Sequence, residues 1–203
     1  MASNIENGTI VTYYYNAQNK LTKIEKGDTV LYEFLYDSQN RRVAIKKSDD
    51  WLFDIHDGMI PVAQLSENGS IWEVDRCFVR GIGIAEGTGD MLSEIVTTGT
   101  TETVHFYLSN HRGDTLMTLT DNGTVGTRLR YDAFGNKKQQ TGSFTPRYTF
   151  SMKEYLSDAI LYLYDYRVYD PIAGRWTQRD PVDYFDSENL YQFCGNNPVK
   201  WGG

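Results

Sequence analysis

The 203-residue sequence contains little of what several protein classes require. Its two cysteines and three histidines show no metal-ligand spacing, so we expect no metal, no other cofactor and no disulfide framework. The net charge of −7 comes without the clustered basic excess that a nucleic-acid surface needs. No run approaches the roughly 18 apolar residues of a membrane-spanning helix. The first residues also lack the basic and apolar regions of a secretory signal. The sequence therefore predicts neither a nucleic-acid partner nor a membrane span.

Aromatic residues, by contrast, are abundant. Fifteen tyrosines, nine phenylalanines and four tryptophans make up 14% of the chain, whereas proline occurs only five times. Aromatic and β-branched side chains fit the half-buried, pleated surface of a sheet. The length allows one or at most two domains with a real core. Composition therefore favours an all-β protein.

Alternation of residue character with a period of two recurs along the chain and predicts strands with one core-facing side. The longest matches are residues 31–36 and residues 161–166, each with a wholly aromatic face. The best candidate for a helix is the stretch from Ser151 to Ile160. The predicted core-facing sets are Tyr32, Phe34 and Tyr36; Trp51, Phe53 and Ile55; Val104, Phe106 and Leu108; and Tyr162, Tyr164 and Tyr166.

Turn signals separate these strands and belong to a repeat. Asn-Gly pairs suit the two positive φ angles of a type I′ hairpin turn. They occur at Asn7–Gly8, Asn68–Gly69 and Asn122–Gly123. Tyr-Asn or Tyr-Asp turns follow at residues 15–20, 36–41 and 131–136. A repeat of about 20 residues with two short strands predicts stacked hairpins in a curled antiparallel sheet.

The Tyr-Asp turn, followed by Gly or Asn and then a residue such as Arg or Lys, resembles the motif that names the YD-repeat, or RHS, proteins. More specific blocks lie in the C-terminal half, from residue 104 onward. They resemble the RHS repeat-associated core and span residues 107–114, 131–135, 148–154, 164–171, 174–181 and 189–199. The chain is therefore identified by resemblance as a C-terminal segment of an RHS protein.

This resemblance implies a hollow β-shell that surrounds a C-terminal payload, often a toxin, with a core segment that folds inward as a plug. We accordingly expect a YD-repeat sheet at 1–103 and the core with its plug at 104–203. The implied role is structural and not that of a metabolic enzyme, in a secreted or cell-surface parent protein. The implied partners are the payload and the remainder of the shell. Free sheet edges would also permit self-association.

Aspartate-dependent self-cleavage is the one enzymatic activity that the resemblance offers. It assigns Arg167 and Asp180 as candidate catalytic residues. Val168 stands where self-cleaving members have an aspartate, and Asp170 could replace that aspartate only after a backbone shift. A second Asp-Pro motif would be expected near Gly203, where the sequence stops. An aspartyl mechanism needs two carboxyl groups in one site, so we expect this chain to be inactive as given.

Two further points stay open in the sequence. Flat aromatic faces can pack on sugar rings, so a cell-surface adhesion or carbohydrate-binding module is an alternative function. The family usually has glycine at the positions of Met152 and Ile160. Because a β-branched residue resists positive φ, we expect the connection at Ile160 to be reshaped.

Overall fold

The computed structural model describes residues 2–6, 9–81, 91–180 and 189–200, and it is almost entirely built of β-strands. Two short 3-10 helices, Phe150–Met152 and Cys194–Asn196, accompany them. The strands are β1 (Ala2–Glu6), β2 (Thr9–Tyr15), β3 (Leu21–Lys26), β4 (Thr29–Tyr36), β5 (Arg42–Lys47), β6 (Asp50–Asp57), β7 (Ile60–Asn68), β8 (Ile71–Arg80), β9 (Met91–Thr98), β10 (Thr101–Ser109), β11 (Thr115–Thr120), β12 (Val125–Tyr131), β13 (Lys137–Gly142), β14 (Glu154–Leu156), β15 (Leu161–Leu163), β16 (Val168–Asp170) and β17 (Arg175–Trp176).

Hydrogen-bonded neighbours follow the order of the chain from β1 to β13, and a second sheet follows the order β14 to β17. This succession of antiparallel hairpins confirms the all-β fold class that the repeat predicts. The chain divides into two compact units, residues 1–78 with 96–101 and residues 79–95 with 102–203. The functional boundary between 103 and 104 stays a prediction.

In the Tyr-Asp motif, one side-chain oxygen of the Asp or Asn residue stabilises the turn by accepting two backbone hydrogen bonds. Asp37 Oδ1 accepts hydrogen bonds from the backbone N–H groups of Gln39 and Arg41, each at 2.9 Å. Asn40 closes the turn at a φ of 61°, a conformation that asparagine and glycine adopt more readily than other residues. The same pair of bonds, at 2.9–3.0 Å, is made by the Oδ1 atoms of Asn16, Asn110 and Asp132. The block that starts at Tyr107 thus contains a fourth copy of the turn.

Neither of the two Asn-Gly hairpins that the structure describes forms a type I′ turn, so that prediction is wrong for both. Asn68 is still a strand residue and pairs with Ile71, so Gly69 and Ser70 are the central residues of the turn. Only Gly69 of these two has a positive φ. Gly123 takes a φ of 82° at the end of a three-residue turn instead. The pair at residues 7 and 8 lies outside the described residues.

The predicted helix from Ser151 to Ile160 is also wrong. A single turn of 3-10 helix ends at Met152, and the hairpin of β14 and β15 follows, with Leu156 paired to Leu161. Ile160 lies in the turn of this hairpin with a φ of 53°, and Met152 has a φ of 54°. Ile160 therefore keeps the backbone conformation that glycine would have. The strand pairing on both sides of the turn outweighs a local strain of about 1–2 kcal/mol.

The aromatic face of β4 is buried as predicted, with Tyr32 and Phe34 each 3% exposed. On β10 the opposite holds, because Phe106 and Leu108 face outward while His105 and Tyr107 are buried. The predicted core face of this strand is therefore wrong. The buried tyrosine hydroxyl donates to the carboxylate of Glu94 on β9, and polar partners of this kind make a polar interior face possible.

Two further core assignments are wrong for similar reasons. Ile55 on β6 is 47% exposed, while its neighbour Asp54 is buried and forms a 2.9 Å ion pair with Arg42. Tyr166 is 72% exposed because β15 ends at Leu163 and the chain turns before that tyrosine. A period-two pattern does not indicate where an ion pair between distant residues will form or where a strand will end.

Candidate functional site

The C-terminal core is built around a cluster of five buried aromatic rings: Phe150, Tyr162, Tyr169, Trp176 and Phe193. Tyr169 stacks on Phe193 with ring centroids 4.0 Å apart. Trp176 meets Phe193 edge to face at 5.3 Å. Adjacent strands β15, β16 and β17 place three of these rings side by side through the pairs Tyr162–Tyr169 and Tyr169–Trp176. Offset and edge-to-face contacts are the geometries that aromatic rings prefer.

Hydroxyl groups of this cluster bind the Tyr-Asp turn at residues 132–136. The Tyr162 hydroxyl donates to the carbonyl oxygen of Gly135 at 2.9 Å, and that of Tyr169 donates to the carbonyl of Phe134 at 2.8 Å. Asn136 Nδ2 of the same turn donates to the carbonyl of Pro171 at 2.8 Å. Burial raises the pKa of both tyrosines, so they stay protonated donors across the physiological range.

Arg112, in the turn that precedes β11, holds the last described segment. Its Nη1 donates to the carbonyl of Pro198 at 2.9 Å, and its Nη2 pairs with Asp114 Oδ2 at 2.6 Å. The guanidinium also lies 5.5 Å from the ring centroid of Phe150. One arginine thus joins a Tyr-Asp-type turn, the aromatic cluster and the C-terminal segment.

The two residues assigned to self-cleavage lie together. Arg167 Nη1 forms an ion pair with Asp180 Oδ2, and the guanidinium lies 4.1 Å from the ring centroid of Trp176. The backbone of Asp180 is held as well, because its N–H donates to the carbonyl of Leu190 at 3.0 Å. Pro181, the other half of the Asp-Pro turn, lies outside the described residues.

The neighbouring positions contribute no second reactive carboxyl group of the expected kind. Val168 is 5% exposed, and its N–H donates to Gln178 Oε1 at 2.6 Å. Asp170 is buried, and its Oδ1 accepts bonds from the N–H groups of Ile172 and Ala173 at 2.9 and 3.0 Å. An oxygen that accepts two backbone bonds stabilises a turn. Among the described residues of this segment, Asp180 is the carboxylate that an arginine, Arg167, positions.

Other chemistry finds little support in the part of the chain that the structure describes. No group of three or more His, Cys, Asp or Glu side chains could hold a metal ion there. Burial raises the pKa of Cys194 to about 11, which keeps its thiol protonated and weakly nucleophilic at neutral pH. None of the described helices is long and apolar enough to cross a membrane.

A group of aromatic residues on β6 and β8 reaches the surface. Trp72 on β8 is 51% exposed and meets Phe53 edge to face at 4.9 Å, and Phe53 lies 6.3 Å from Trp51. The alternation of these residues therefore reflects a partly exposed apolar surface and not only a core. A carbohydrate-binding role for it stays a prediction.

Comparisons with known proteins support the assignment that these motifs suggest. No family model matches the chain. Toxin subunit YenC2 of Yersinia entomophaga is 48% identical over 40 residues, which is 20% of this chain and 4% of that protein. The crystal structure of TcdB2-TccC3 covers 95% of this chain at a TM-score of 0.74 and 17% identity. Its motifs and its fold resemble those of the RHS/YD-repeat proteins.

This chain corresponds to only part of the length of these similar proteins. It covers 10% of the TcdB2-TccC3 chain. It is 29% identical over 98 residues to the uncharacterised protein YibJ of Escherichia coli, which is 47% of this chain and 42% of that protein. The chain thus spans less than half the length of the curated relatives named here.

Proposed function

We propose that this RHS segment forms the wall and plug of a β-shell that encloses or presents a C-terminal payload such as a toxin. The observation that carries the proposal is the attachment of the C-terminal core to the Tyr-Asp turns through Tyr162, Tyr169, Asn136 and Arg112. A plug must be fixed to the wall that it closes, and these bonds fix it. The likeness to the shell of TcdB2-TccC3 and to a toxin subunit supports the same role.

The energetics of the cluster suit a permanent closure. Burying one large apolar side chain contributes about 1.5–3 kcal/mol, so five buried rings contribute on the order of 10 kcal/mol before chain entropy is subtracted. Each tyrosine hydroxyl bond to a turn carbonyl adds about 1 kcal/mol. A segment held this firmly contributes a rigid surface. As part of such a shell the segment would act outside the cell, secreted or at the cell surface.

The proposal is tested in the full-length natural protein, on any residues that its gene encodes after Gly203. Arg112→Ala removes the bond to the Pro198 carbonyl. Arg41→Ala is a matched control, because Arg41 pairs with Asp37 at 2.7 Å and donates to the carbonyl of Gly58 at 2.6 Å in a Tyr-Asp turn of the other unit. Digestion with proteinase K, followed by mass spectrometry, measures the survival of the segment after Gly203.

We expect this segment to resist digestion in the wild type and in Arg41→Ala, and to be degraded several times faster in Arg112→Ala. Equal degradation in all three proteins at the rate of a free peptide would show that nothing is enclosed. Equal protection in all three would show that Arg112 does not hold the closure.

Self-cleavage is a second candidate, favoured by the ion pair between Arg167 and Asp180 beside the ring of Trp176. Intact-mass measurement of the natural gene product tests it. If cleavage occurs, Asp180→Asn should abolish it, while Asp165→Asn, at an exposed carboxylate near Lys153, should not. Cleavage that persists in Asp180→Asn would eliminate Asp180 as the catalytic residue.

A further inference from the structure

Strands β11, β12 and β13 have an unusual charge balance for this chain. Residues 115–120, 125–131 and 137–142 contain four cationic side chains and no aspartate or glutamate, although the whole chain has a net charge of −7. Local positive charge in an acidic protein creates a surface that attracts anionic partners.

Two of the four cations already have partners. Lys138 pairs with Asp132 at 3.0 Å. Lys137 donates to Gln140 Oε1 at 2.9 Å and lies 4.0 Å from the ring centroid of Tyr155. These lysines therefore contribute to the fold, and the unexplained charge belongs to the arginines of β12.

Arg128 and Arg130 are exposed on the same face of β12, and neither guanidinium has an ion pair or hydrogen bond with any residue that the structure describes. Side chains at i and i+2 of a strand lie about 7 Å apart. Two like charges at this spacing repel one another, and a carboxylate beside each would remove that repulsion. Acidic side chains at alternate positions of an extended peptide have the same spacing.

A hollow of about 440 Å³ lies beside the two arginines. It is lined by the apolar residues Leu116 and Met117, by the polar residues Gln139 and Thr141, and by the β12 strand around Leu129. Leu116 is 43% exposed, so the hollow offers apolar surface that water now covers. A ligand that combines carboxylates with apolar groups fits this lining better than a purely polar anion does.

The adjacent strand β13 is the last strand of its sheet in the described order. It pairs with β12, and five of its six residues are exposed. The outer edge of such a strand presents backbone N–H and C=O groups that an extended peptide can pair with. The arginines of β12 project from the same sheet, one strand away.

We propose that this surface docks an extended acidic segment of a partner polypeptide. The segment pairs with the edge of β13 and directs alternate carboxylates at Arg128 and Arg130. An apolar side chain at a further position on the same face of the segment lies in the hollow. Arginine is well suited to this role because its planar guanidinium can bind a carboxylate through two parallel hydrogen bonds.

Fluorescence anisotropy of the 203-residue chain tests the proposal with a labelled ten-residue peptide of sequence Glu-Thr-Glu-Thr-Leu-Thr-Glu-Thr-Glu-Thr, which has its glutamates and its leucine on one face when extended. The same peptide with glutamine in place of each glutamate is the neutral probe. We expect the acidic peptide to bind at least about tenfold more tightly, and to lose affinity as salt rises, because ions screen exposed charges. Arg128→Gln combined with Arg130→Gln should weaken acidic-peptide binding at least about tenfold.

Arg175→Gln is the matched control, since Arg175 is an exposed arginine on β17 and should leave affinity unchanged. The thermal midpoint of each variant shows whether it still folds. The proposal is overturned if the two peptides bind equally, if neither binds, or if the double variant binds like the wild type. It is also overturned if duplex DNA or phosphatidylserine vesicles compete more strongly than the acidic peptide, or if sedimentation shows that these arginines join two copies of the chain.

Discussion

Replacing Gly135 with alanine should loosen the C-terminal core at the point where it meets a Tyr-Asp turn. A Cβ atom at this position would lie 2.6–2.8 Å from three ring carbons of Phe150, which is 1% exposed. The carbonyl of the same glycine accepts the hydroxyl bond of Tyr162. The ring cannot move away freely, because it packs against the other rings of the cluster.

The magnitude follows from two separate contributions. Gly135 has a φ of 84°, and any residue with a Cβ atom loses about 1–2 kcal/mol in this region. Forcing an extra carbon into a packed core costs typically about 1–3 kcal/mol more. We therefore expect Gly135→Ala to lower the free energy of unfolding by about 2–5 kcal/mol.

Gly123→Ala separates the two contributions. Gly123 has a φ of 82°, and a Cβ atom there would meet nothing within 4 Å. Gly123→Ala should therefore lower the free energy of unfolding only by the backbone contribution of about 1–2 kcal/mol. Urea unfolding followed by circular dichroism measures both variants. If both lose the same free energy, Phe150 does not confine Gly135, and the packing described for this turn is incorrect.

Other substitutions test the core and the surface. Phe193→Ala, at a fully buried ring, should lower the free energy of unfolding by about 3–5 kcal/mol. Tyr166→Ala, at a residue that is 72% exposed, should change it by no more than about 0.5 kcal/mol. Urea unfolding measures both variants. Burial lowers the pKa of Lys137 from its ordinary 10.5 to about 8. Between these pH values the unfolded chain binds more protons at this site than the folded chain, so this lysine makes stability rise as pH increases from about 8 to 10.5. The stability difference between the wild type and Lys137→Gln should therefore shift in favour of the wild type over that range. A constant difference in urea midpoint across it would show that the amine is not desolvated.

The sequence predicts the repeating part of this fold well because its turns are local. An Asn or Asp side chain that accepts N–H groups two and four residues later needs no distant partner, so the spacing of the Tyr-Asp motif is sufficient evidence for it. The turn at Asn110 was missed as a repeat because its following residues, His111 and Arg112, resemble the core block more than the other copies. The feature that identifies this turn is an asparagine, Asn110, whose Oδ1 accepts hydrogen bonds from the N–H groups two and four residues later, those of Arg112 and Asp114.

Errors in the expected fold arise where distant residues decide the outcome. Period-two alternation could not show which face of β10 is buried, because Tyr107 is stabilised by Glu94 on another strand. Likewise, the intrinsic preference of Ile160 was outweighed by the pairing of Leu156 with Leu161. Local propensity is a weak guide where a hairpin fixes the backbone.

In the candidate site, too, contacts between distant residues were not predicted. The resemblance brought Arg167 and Asp180 together as candidates, and the structure places them in an ion pair. It gave no indication that Arg112 reaches Pro198, because the two residues are 86 positions apart and a carbonyl acceptor has no sequence signature. The catalytic role of Arg167 and Asp180 stays a prediction.

Electron cryo-microscopy of the complete natural gene product tests the central claim most directly. If this chain is the wall and plug of a shell, the map should show its sheet continuing into a hollow β-structure. Residues 190–200 should pack on the turn at Arg112, Pro171 should pack on the turn at Asn136, and any residues that follow Gly203 should lie inside the hollow. A map in which those following residues lie outside the β-structure, or in which the sheet bounds no hollow, would contradict the account.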